Sequence, residues 1–306
     1  MRALRIGTRG SALALWQAEH IAARLRELTP GRSIELQVIK TKGDKIVDVP
    51  LAMVGGKGLF VKEIEEALLR GEVDLAVHSI KDVPTELPEG LGLNGIPGRE
   101  DPRDALVSKG GLRLLELPRG ARVGTSSLRR RCQLLHLRPD LEVADLRGNV
   151  DTRLAKLESG GLDAIVLAVA GLRRLGHERR ISEIIAPEVM LPAVGQGALG
   201  LESRSDDGDV CGLLAALHHE PTATCVRAER AVLAGLGGGC QVPVASHARV
   251  EGGRLVLDGL IGHPSGSPFY REHAEGRVED ARSLGELLAG RLLARGAAKI
   301  LEEIYG

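Results

Sequence analysis

The stretch VDLAVHSIKDVP, residues 73–84, places a short apolar run directly before a polar turn that stops at a proline. A run of this kind predicts a buried strand over residues 73–79. The turn then carries four polar side chains past the carboxyl end of that strand: His78, Ser79, Lys81 and Asp82. Open α/β sheets bind ligands at that edge, where Lys81 could form a Schiff base and Asp82 could act as a general acid or base. An ordinary polar loop accounts for the same residues equally well.

Short apolar runs alternate with helical patterns through the first two thirds of the chain. The apolar runs predict strands at residues 3–8, 33–40, 121–125, 142–146 and 163–172. The helical patterns cover residues 11–28, 61–70, 127–137 and 150–159. This alternation indicates layered α/β structure with mostly parallel strands.

After about residue 220 the pattern changes. A helix is predicted at 222–236, a hairpin over 244–262 that turns at Gly252 and Gly253, and one long helix over 281–304. The sequence therefore predicts two α/β lobes followed by a smaller α+β domain. We expect the first lobe to span residues 1–98 and 198–217, the second 99–197, and the α+β domain 218–306.

Two strand-to-helix junctions share a polar composition, GTRGS at 7–11 and GTSSLRR at 124–130. Each offers hydroxyl groups and free backbone N–H groups at a helix N-terminus with arginine nearby, which favours an anion site. Simple N-capping by serine or threonine explains one such junction. Two in matching contexts favour a pair of lobes that share an anionic ligand.

Further arginines follow predicted strands in segments that lie far apart in sequence. LRGNVDTRL at 146–154 contains Arg147 and Arg153, and VAGLRRL at 169–175 contains Arg173 and Arg174. A lone arginine is usually solvated, but several at strand ends suggest a ligand with many carboxylates, held by bidentate pairs.

The composition excludes several classes of partner. Lys and Arg together equal Asp and Glu at 41 each, so no net field attracts nucleic acid or a membrane surface. Aromatic residues make up 2%, too few to stack bases along a strand. The N-terminus lacks an apolar signal core, and the longest apolar run, 164–172, is too short to span a bilayer, so we expect a cytoplasmic protein. The four cysteines form no CxxC pair, which indicates neither a metal site nor a disulfide framework.

Glycine-rich segments mark three further places. GLGGGCQVPV at 235–244 surrounds Cys240 with residues that leave a thiol open to a bulky group, although a surface turn fits as well. Residues 40–60 show no sustained period and predict a mobile flap over a cleft. PAVGQGALGLE at 192–202 carries one polar side chain, Gln196, and suits a hinge between lobes; it lacks the lysine and spacing of a P-loop.

The chain resembles the porphobilinogen deaminase (hydroxymethylbilane synthase) family over essentially its whole length. Nine motifs occur in the family's order: TRGSALALWQA, GGKGLFVKEIE, AVHSIKDVPT, REDPRDA, VGTSSLRRRCQL, LRGNVDTRL, AIVLAVAGLRRLG, LPAVGQGA and GGGCQVPVA. The resemblance implies two periplasmic-binding-protein-like lobes plus a smaller cofactor-anchoring domain. It implies a transferase that joins four porphobilinogen molecules head to tail, releases ammonia and yields linear hydroxymethylbilane for tetrapyrrole (haem) biosynthesis.

The resemblance also assigns roles by motif. Cys240 matches the cysteine that holds a dipyrromethane cofactor through a thioether, and Asp82 matches the catalytic aspartate, which stabilises cationic pyrrole nitrogen and moves protons. The residues implied to bind the cofactor are Ser79, Lys81, Thr125, Ser126, Ser127, Arg129, Arg130, Arg147 and Gly148. Those implied to bind substrate are Arg9, Ser11, Phe60, Arg153, Arg174 and Gln196. Each pyrrole carries two carboxylates, which explains the arginines.

Three alternatives remain on the residues alone. The first is a two-lobed binding protein for a small polycarboxylate. The second is a thiol enzyme in which Cys240 transfers acyl groups with His218, His219 or His247 as base. The third is a Schiff-base enzyme acting through Lys81. We expect a monomer, because no long apolar stripe stands out.

Overall fold

The computed structural model describes residues 2–45, 58, 61–237 and 242–305. The chain divides into two compact units. The first holds the described residues up to 100 together with 198–223, and the second holds 101–197 together with the described residues from 224 onward. The three-domain division, with boundaries at 98, 198 and 218, stays a prediction.

The described helices and strands follow the alternation expected from sequence. Up to residue 108 they are β1 (Leu4–Thr8), α1 (Ala12–Leu28), β2 (Ile34–Val38), α2 (Lys42–Lys45), α3 (Lys62–Leu69), β3 (Leu75–Ser79), β4 (Leu91–Gly95) and β5 (Asp104–Ser108). From there to residue 204 they are β6 (Arg122–Gly124), α4 (Leu128–Leu137), β7 (Glu142–Ala144), α5 (Val150–Glu158), β8 (Ala164–Ala168), α6 (Val169–Arg174), β9 (Glu183–Ile185) and β10 (Leu199–Arg204). The remainder are α7 (Gly208–Ala216), α8 (Glu220–Gly235), β11 (Val244–Glu251), β12 (Arg254–Gly262), β13 (Phe269–Arg277), α9 (Ala281–Ala294) and α10 (Ala297–Tyr305).

The first unit is built on a five-stranded sheet in the order β2-β1-β3-β10-β4. β1 lies parallel to β2 and to β3, whereas β10 runs antiparallel to β3 and β4. One face is covered by α1, whose Ala18, Ile21 and Leu25 pack with Leu4 and Leu75 of the sheet. The chain enters this sheet for the last time through β10, so residues 198–223 belong to the unit that contains the N-terminal strands.

The second unit repeats this arrangement with a different stretch of chain. Its five-stranded sheet has the order β7-β6-β8-β5-β9, with β6 parallel to β7 and β8, and β5 antiparallel to β8 and β9. In both sheets the second strand leads into a serine-capped helix: Ser11 accepts from the N–H of Ala14, and Ser127 from that of Arg130. The predicted echo between the two junctions is therefore a repeat of topology as well as of composition.

The C-terminal part of the second unit is an antiparallel sheet, β11-β12-β13, covered by α9. The predicted hairpin turns at Gly252 and Gly253, whose φ angles of 55° and 77° suit glycine. The fold class predicted from sequence, two α/β lobes and a smaller α+β part, is confirmed. In each lobe four of the five strands share one direction, and the fifth, β10 or β5, runs antiparallel to them.

One expectation for the C-terminal part was wrong, and one strand there was not anticipated. The single helix predicted over 281–304 is two helices, because the chain breaks at Gly296, where φ is +114°. β13 was not predicted as a strand, since charged residues interrupt its apolar alternation. Residues 163–172, a single apolar run in sequence, are strand β8 followed at once by helix α6.

The contact between α9 and α8 depends on a glycine. A Cβ at Gly285 would overlap the carbonyl oxygen of Ala228 and lie 2.6 Å from the Cβ of Ala231. Gly290, in the same helix, has nothing within 4 Å of such a Cβ. Alanine at Gly290 therefore changes only helix propensity, whereas alanine at Gly285 also changes the packing between α8 and α9.

We expect Gly285→Ala to lower the free energy of unfolding by roughly 1–3 kcal/mol, because the helices must move apart. Gly290→Ala, its matched control, gains roughly 0.5–1 kcal/mol from helix propensity. Urea unfolding of both variants measures the difference. Equal stability of the two variants would show that α8 and α9 are not in this close contact.

Candidate functional site

A cleft in the first unit holds the polar turn that follows β3. Because β1 and β3 are parallel neighbours, the turns after them lie at the same edge of the sheet. The cleft is lined by residues of both turns and of α1 and α3, among them Arg9, Ser11, Gln17, His78, Ser79 and Asp82. Residues 80–82 form a single 3-10 turn, closed by a hydrogen bond from the N–H of Val83 to the carbonyl of Ile80. The turn places the half-exposed carboxylate of Asp82 in the wall of the cleft.

The hydroxyl groups of this cleft are held by neighbouring elements. Ser11 caps α1, its Oγ accepting from the N–H of Ala14 at 3.3 Å. The buried Gln17 of α1 donates through Nε2 to the Oγ of Ser79 at 3.0 Å. Arg9 and Lys81 are half-buried, Arg9 in the wall of the cleft and Lys81 within the 3-10 turn. The structure therefore brings Arg9, Ser11, Ser79 and Asp82 together, as a shared sheet edge predicts.

The hydroxyl groups of the second lobe's junction support its backbone. Thr125 accepts from the N–H of Ser127 at 3.2 Å, Ser126 from that of Leu146 at 3.0 Å, and Ser127 from that of Arg130 at 3.4 Å. Thr125 is buried and Ser126 is exposed. N-capping, the simple interpretation of this junction, is what these contacts show, and anion binding by the same groups stays a prediction.

Arg129 and Arg130 are buried, and both engage one carboxylate that sequence reasoning missed. Asp104, at the start of β5, accepts from Nη1 of Arg129 at 2.7 Å and from Nη2 and Nε of Arg130 at 2.7 and 3.1 Å. Although burial opposes ionisation, the two guanidinium groups hold the pKa of Asp104 well below its usual range. Two guanidinium groups and one carboxylate leave one net positive charge in the interior of this lobe.

Gln196 also engages Asp104. Its Nε2 donates to Oδ1 of Asp104 at 3.0 Å and to the carbonyl of Pro102 at 2.7 Å, and the side chain is buried. The amide thus stabilises the ion-paired carboxylate within the second unit. Its implied contact with substrate stays a prediction.

The remaining arginines follow strands of the second lobe's sheet: Arg147 lies in the loop after β7, Arg153 in α5 and Arg174 at the end of α6. Arg153 donates through Nε to the carbonyl of Gly148 at 2.8 Å, and Arg174 through Nη2 to that of Gly197 at 2.8 Å. Arg147 is half-buried beside them in sequence. Gly148 has a φ of +117°, and a Cβ there would lie 2.7 Å from Cγ2 of Thr152, so only glycine fits between Arg147 and α5.

Some predicted residues lie outside the described part of the chain. These are Cys240, Phe60 and most of the proposed flap at 40–60, of which α2 is described. The other three cysteines are in helices as expected: Cys132 and Cys225 are buried and Cys211 is half-exposed. Burial raises the pKa of the Cys132 thiol to about 12, which keeps it unreactive.

Two acidic residues were missed although their pattern is visible in sequence. Glu65 falls on the apolar stripe of α3 with Val61, Ile64 and Leu68, at a spacing that faces the core. Glu202 interrupts the apolar strand β10 and is fully buried. A charged residue at a core position indicates a buried partner, but only the structure identifies it.

Family models that cover most of the chain all describe the same family. A family model described as the porphobilinogen deaminase dipyrromethane cofactor binding domain matches residues 4–211, and one described as the porphobilinogen deaminase C-terminal domain matches residues 223–294. The chain belongs to the porphobilinogen deaminase family.

Relatives named porphobilinogen deaminase match nearly the full chain. The one from Pelobacter propionicus is 57% identical over 99% of this chain and 98% of its own length. Those from Syntrophotalea carbinolica and Geobacter metallireducens are 58% and 55% identical, over 98% and 99% of this chain and 95% of each relative. Family membership favours the enzyme over the binding-protein alternative.

The described residues contain neither a membrane-crossing helix nor a metal-binding cluster. No helix there combines the length and apolar character that crossing a bilayer requires. No group of three or more His, Cys, Asp and Glu side chains is arranged to hold a metal ion in the same residues.

The charges of the second lobe fit a cofactor that carries carboxylates. The Asp104 group has one excess positive charge, and within the described residues the buried Nε of Arg129 has no hydrogen-bond acceptor. An anionic group would supply both a counter-charge and an acceptor. The residues present therefore fit the dipyrromethane that the family's first domain binds.

We expect Asp104→Asn to lower the free energy of unfolding by about 3–5 kcal/mol, because it leaves two guanidinium groups buried without a counter-charge. Since the pKa of Asp104 is depressed in the folded protein, the loss should persist from about pH 8 to pH 5 and shrink only in stronger acid. Urea unfolding of the wild-type and variant proteins at several pH values between about 8 and 5 measures this loss. Asp140→Asn, in the pair with Arg138 nearer the surface, should change the midpoint far less; equal effects of the two substitutions would contradict the buried network.

Proposed function

We propose that this member of the porphobilinogen deaminase family condenses porphobilinogen through Asp82. The activity is the head-to-tail joining of four porphobilinogen molecules into linear hydroxymethylbilane with release of ammonia. The observation that supports Asp82 as the catalytic residue is its carboxylate in the cleft, beside Arg9 and Ser11. This cleft lies at the carboxyl edge of β1 and β3, where parallel sheets bind ligands.

The chemistry requires a carboxylate at such a place. Loss of ammonia from the aminomethyl group leaves positive charge on the pyrrole, which a carboxylate in a partly dry cleft stabilises strongly. The proton lost from the attacked pyrrole carbon also needs an acceptor within reach. Asp82 can serve in both roles, while Arg9 and Ser11 bind the acetate and propionate groups of the substrate.

We propose that the cofactor is held by the cationic groups of the second lobe and by Cys240. When bound, the dipyrromethane supplies the free pyrrole carbon to which the first substrate is joined. The residues proposed to hold it are Ser79, Lys81, Thr125, Ser126, Ser127, Arg129, Arg130, Arg147 and Gly148, with Cys240 as the covalent anchor. We assign Arg153, Arg174, Gln196 and Phe60 to the substrate on the family motifs alone.

The zero net charge and the few aromatic residues support a protein that binds neither nucleic acid nor a membrane. We propose that it is a cytoplasmic monomer. Light scattering after gel filtration tests the oligomeric state, with a mass near 32.5 kDa expected.

Replacing Asp82 tests its proposed role in catalysis. We expect Asp82→Ala to lower kcat by roughly 10³-fold or more, with KM changed far less, because charge stabilisation acts in the transition state. Glu86→Ala, at an exposed carboxylate four residues along, is the control and should keep full activity. Steady-state kinetics with porphobilinogen at constant pH measures both parameters. A decrease in kcat of less than tenfold for Asp82→Ala would assign the proton transfer to another group.

Replacing Cys240 tests the anchor without relying on turnover. The intact mass of the purified protein should exceed the sequence mass by two porphobilinogen-derived pyrrole units. Cys240→Ser should lack this mass while remaining folded, and Cys211→Ser should retain it. Added mass that remains on the Cys240→Ser variant would place the anchor elsewhere.

A further inference from the structure

A buried cluster of three titratable side chains lies directly behind the cleft of the first unit. His78 of β3 places Nε2 2.9 Å from Oε2 of Glu202 of β10. Glu65 of α3 interacts electrostatically with both. All three side chains are buried, Glu202 completely. We call His78, Glu202 and Glu65 the His78 cluster.

The sheet register brings these residues to one face. β10 is antiparallel to β3, with Gly200 opposite His78 and Glu202 opposite Ala76. Side chains alternate between faces along a strand, so His78 and Glu202 project to the same side, diagonally across the ladder. Ala76 of this face packs with Ile64 and Leu68 of α3, the helix that carries Glu65.

The cluster contains more acid groups than can be ionised at the same time. Two carboxylates face one imidazole, so full ionisation would leave a net negative charge in an apolar interior. Burial and, next, the charge of Glu202 raise the pKa of Glu65 to about 7. Buried oxygens on both carboxyl groups, Oε1 of Glu65 and Oε1 of Glu202, have no hydrogen-bond partner in the described part of the chain.

Other charged groups near α3 are already engaged. Glu66 of the same helix also raises the pKa of Glu65, as a smaller effect. Arg5 of β1 pairs with Asp74, and Arg204 of β10 donates to the carbonyls of Leu68 and Val73 and to Asp207. Besides Glu66, the groups whose charge acts on Glu65 are therefore His78 and Glu202.

The cluster reaches the cleft through His78. His78 lines the cleft together with Asp82 and Ser79, and Ile64, next to Glu65, lines it as well. Because both side chains line one cleft, a water molecule in it can bridge the imidazole of His78 and the carboxylate of Asp82. The reaction supplies a proton at this place.

The proton arises once in every condensation. The C–N bond of the protonated aminomethyl group breaks, its electron pair leaves on nitrogen as neutral ammonia, and the positive charge stays on the pyrrole methylene unit. A C–C bond then forms between the methylene carbon and the α-carbon of the acceptor pyrrole, and that α-carbon loses a proton. In the proposed function Asp82 takes this proton, and it must give it up before the next substrate reacts.

We propose that the His78 cluster receives the proton from Asp82 and passes it on, so that Asp82 is ionised again for the next condensation. Glu65 and Glu202 act through His78 and are positioning residues. The inference rests on the proposed role of Asp82. The transferred proton ends on ammonia or in bulk water, so each cycle leaves the cluster in its starting state.

The test compares Glu65→Gln with Glu66→Gln, the same substitution at the next, exposed position of α3. We expect Glu65→Gln to lower kcat about tenfold near neutral pH, as for the loss of one proton-transfer partner, and to remove the inflection near pH 7 from the kcat profile. KM should change less than about twofold. Glu66→Gln should keep the wild-type kcat and retain the inflection, which moves only slightly toward lower pH because the small effect of Glu66 on the pKa of Glu65 is lost.

A second readout does not depend on turnover. The ring ¹⁵N shifts of His78 in the holoenzyme, assigned with His78→Gln, should show an inflection near pH 7 that reports Glu65. This inflection should vanish in Glu65→Gln and remain in Glu66→Gln. Circular dichroism confirms folding, and if Glu65→Gln fails to fold, Glu202→Gln takes its place, with the His78 shifts and the kcat profile again expected to change.

Two outcomes would overturn the proposal: a kcat profile of the cluster variant that superimposes on wild type, or His78 shifts without the inflection in the wild-type enzyme. Failure of the Asp82 assignment is a separate result. It would appear as an active Asp82→Ala enzyme, whatever the profiles of the glutamate variants.

Discussion

The second lobe depends on one buried carboxylate. Asp104 is the counter-charge for Arg129 and Arg130 and also accepts from Gln196, so it joins β5, α4 and the segment before β10. Removing charge from water is unfavourable unless the partners are close and fully hydrogen-bonded, and here the distances are 2.7–3.1 Å. One positive charge is still unmatched. The network that stabilises this lobe therefore contains the same arginines that we propose to hold the cofactor.

The buried ionisable groups of the first lobe are mainly acidic, whereas those around Asp104 are mainly basic. The first lobe's cluster of His78, Glu202 and Glu65 has an excess of acid groups, and Asp82 lies in the wall of the adjoining cleft. A carboxylate such as that of Asp82 suits developing positive charge on a pyrrole, whereas the excess positive charge of the second lobe suits carboxylates. Two lobes of equal topology thus differ in the sign of their buried ionisable groups.

The shared topology explains why polar residues lie where they do. In both sheets the second strand runs parallel to two neighbours and enters a serine-capped helix at the carboxyl edge. Side chains from turns far apart in sequence meet at such an edge without long loops. Arg9, Ser11, Ser79 and Asp82 could each be placed after a strand from sequence, but they meet because β1 and β3 are neighbours in the sheet.

Local pattern was sufficient for most helices and strands, for the hairpin at Gly252 and Gly253, and, through motif order, for the family. It was insufficient at Gly296, where one glycine ends a helix that apolar periodicity would continue, and at β13, whose charged residues hide its alternation. The sequence by itself determined which side chains stand at strand ends, because period and turn residues are local properties. Only the tertiary structure decided that Arg129 and Arg130 share Asp104 and that His78 meets Glu202, 124 residues away, because the pairing of buried charges depends on sheet register and packing.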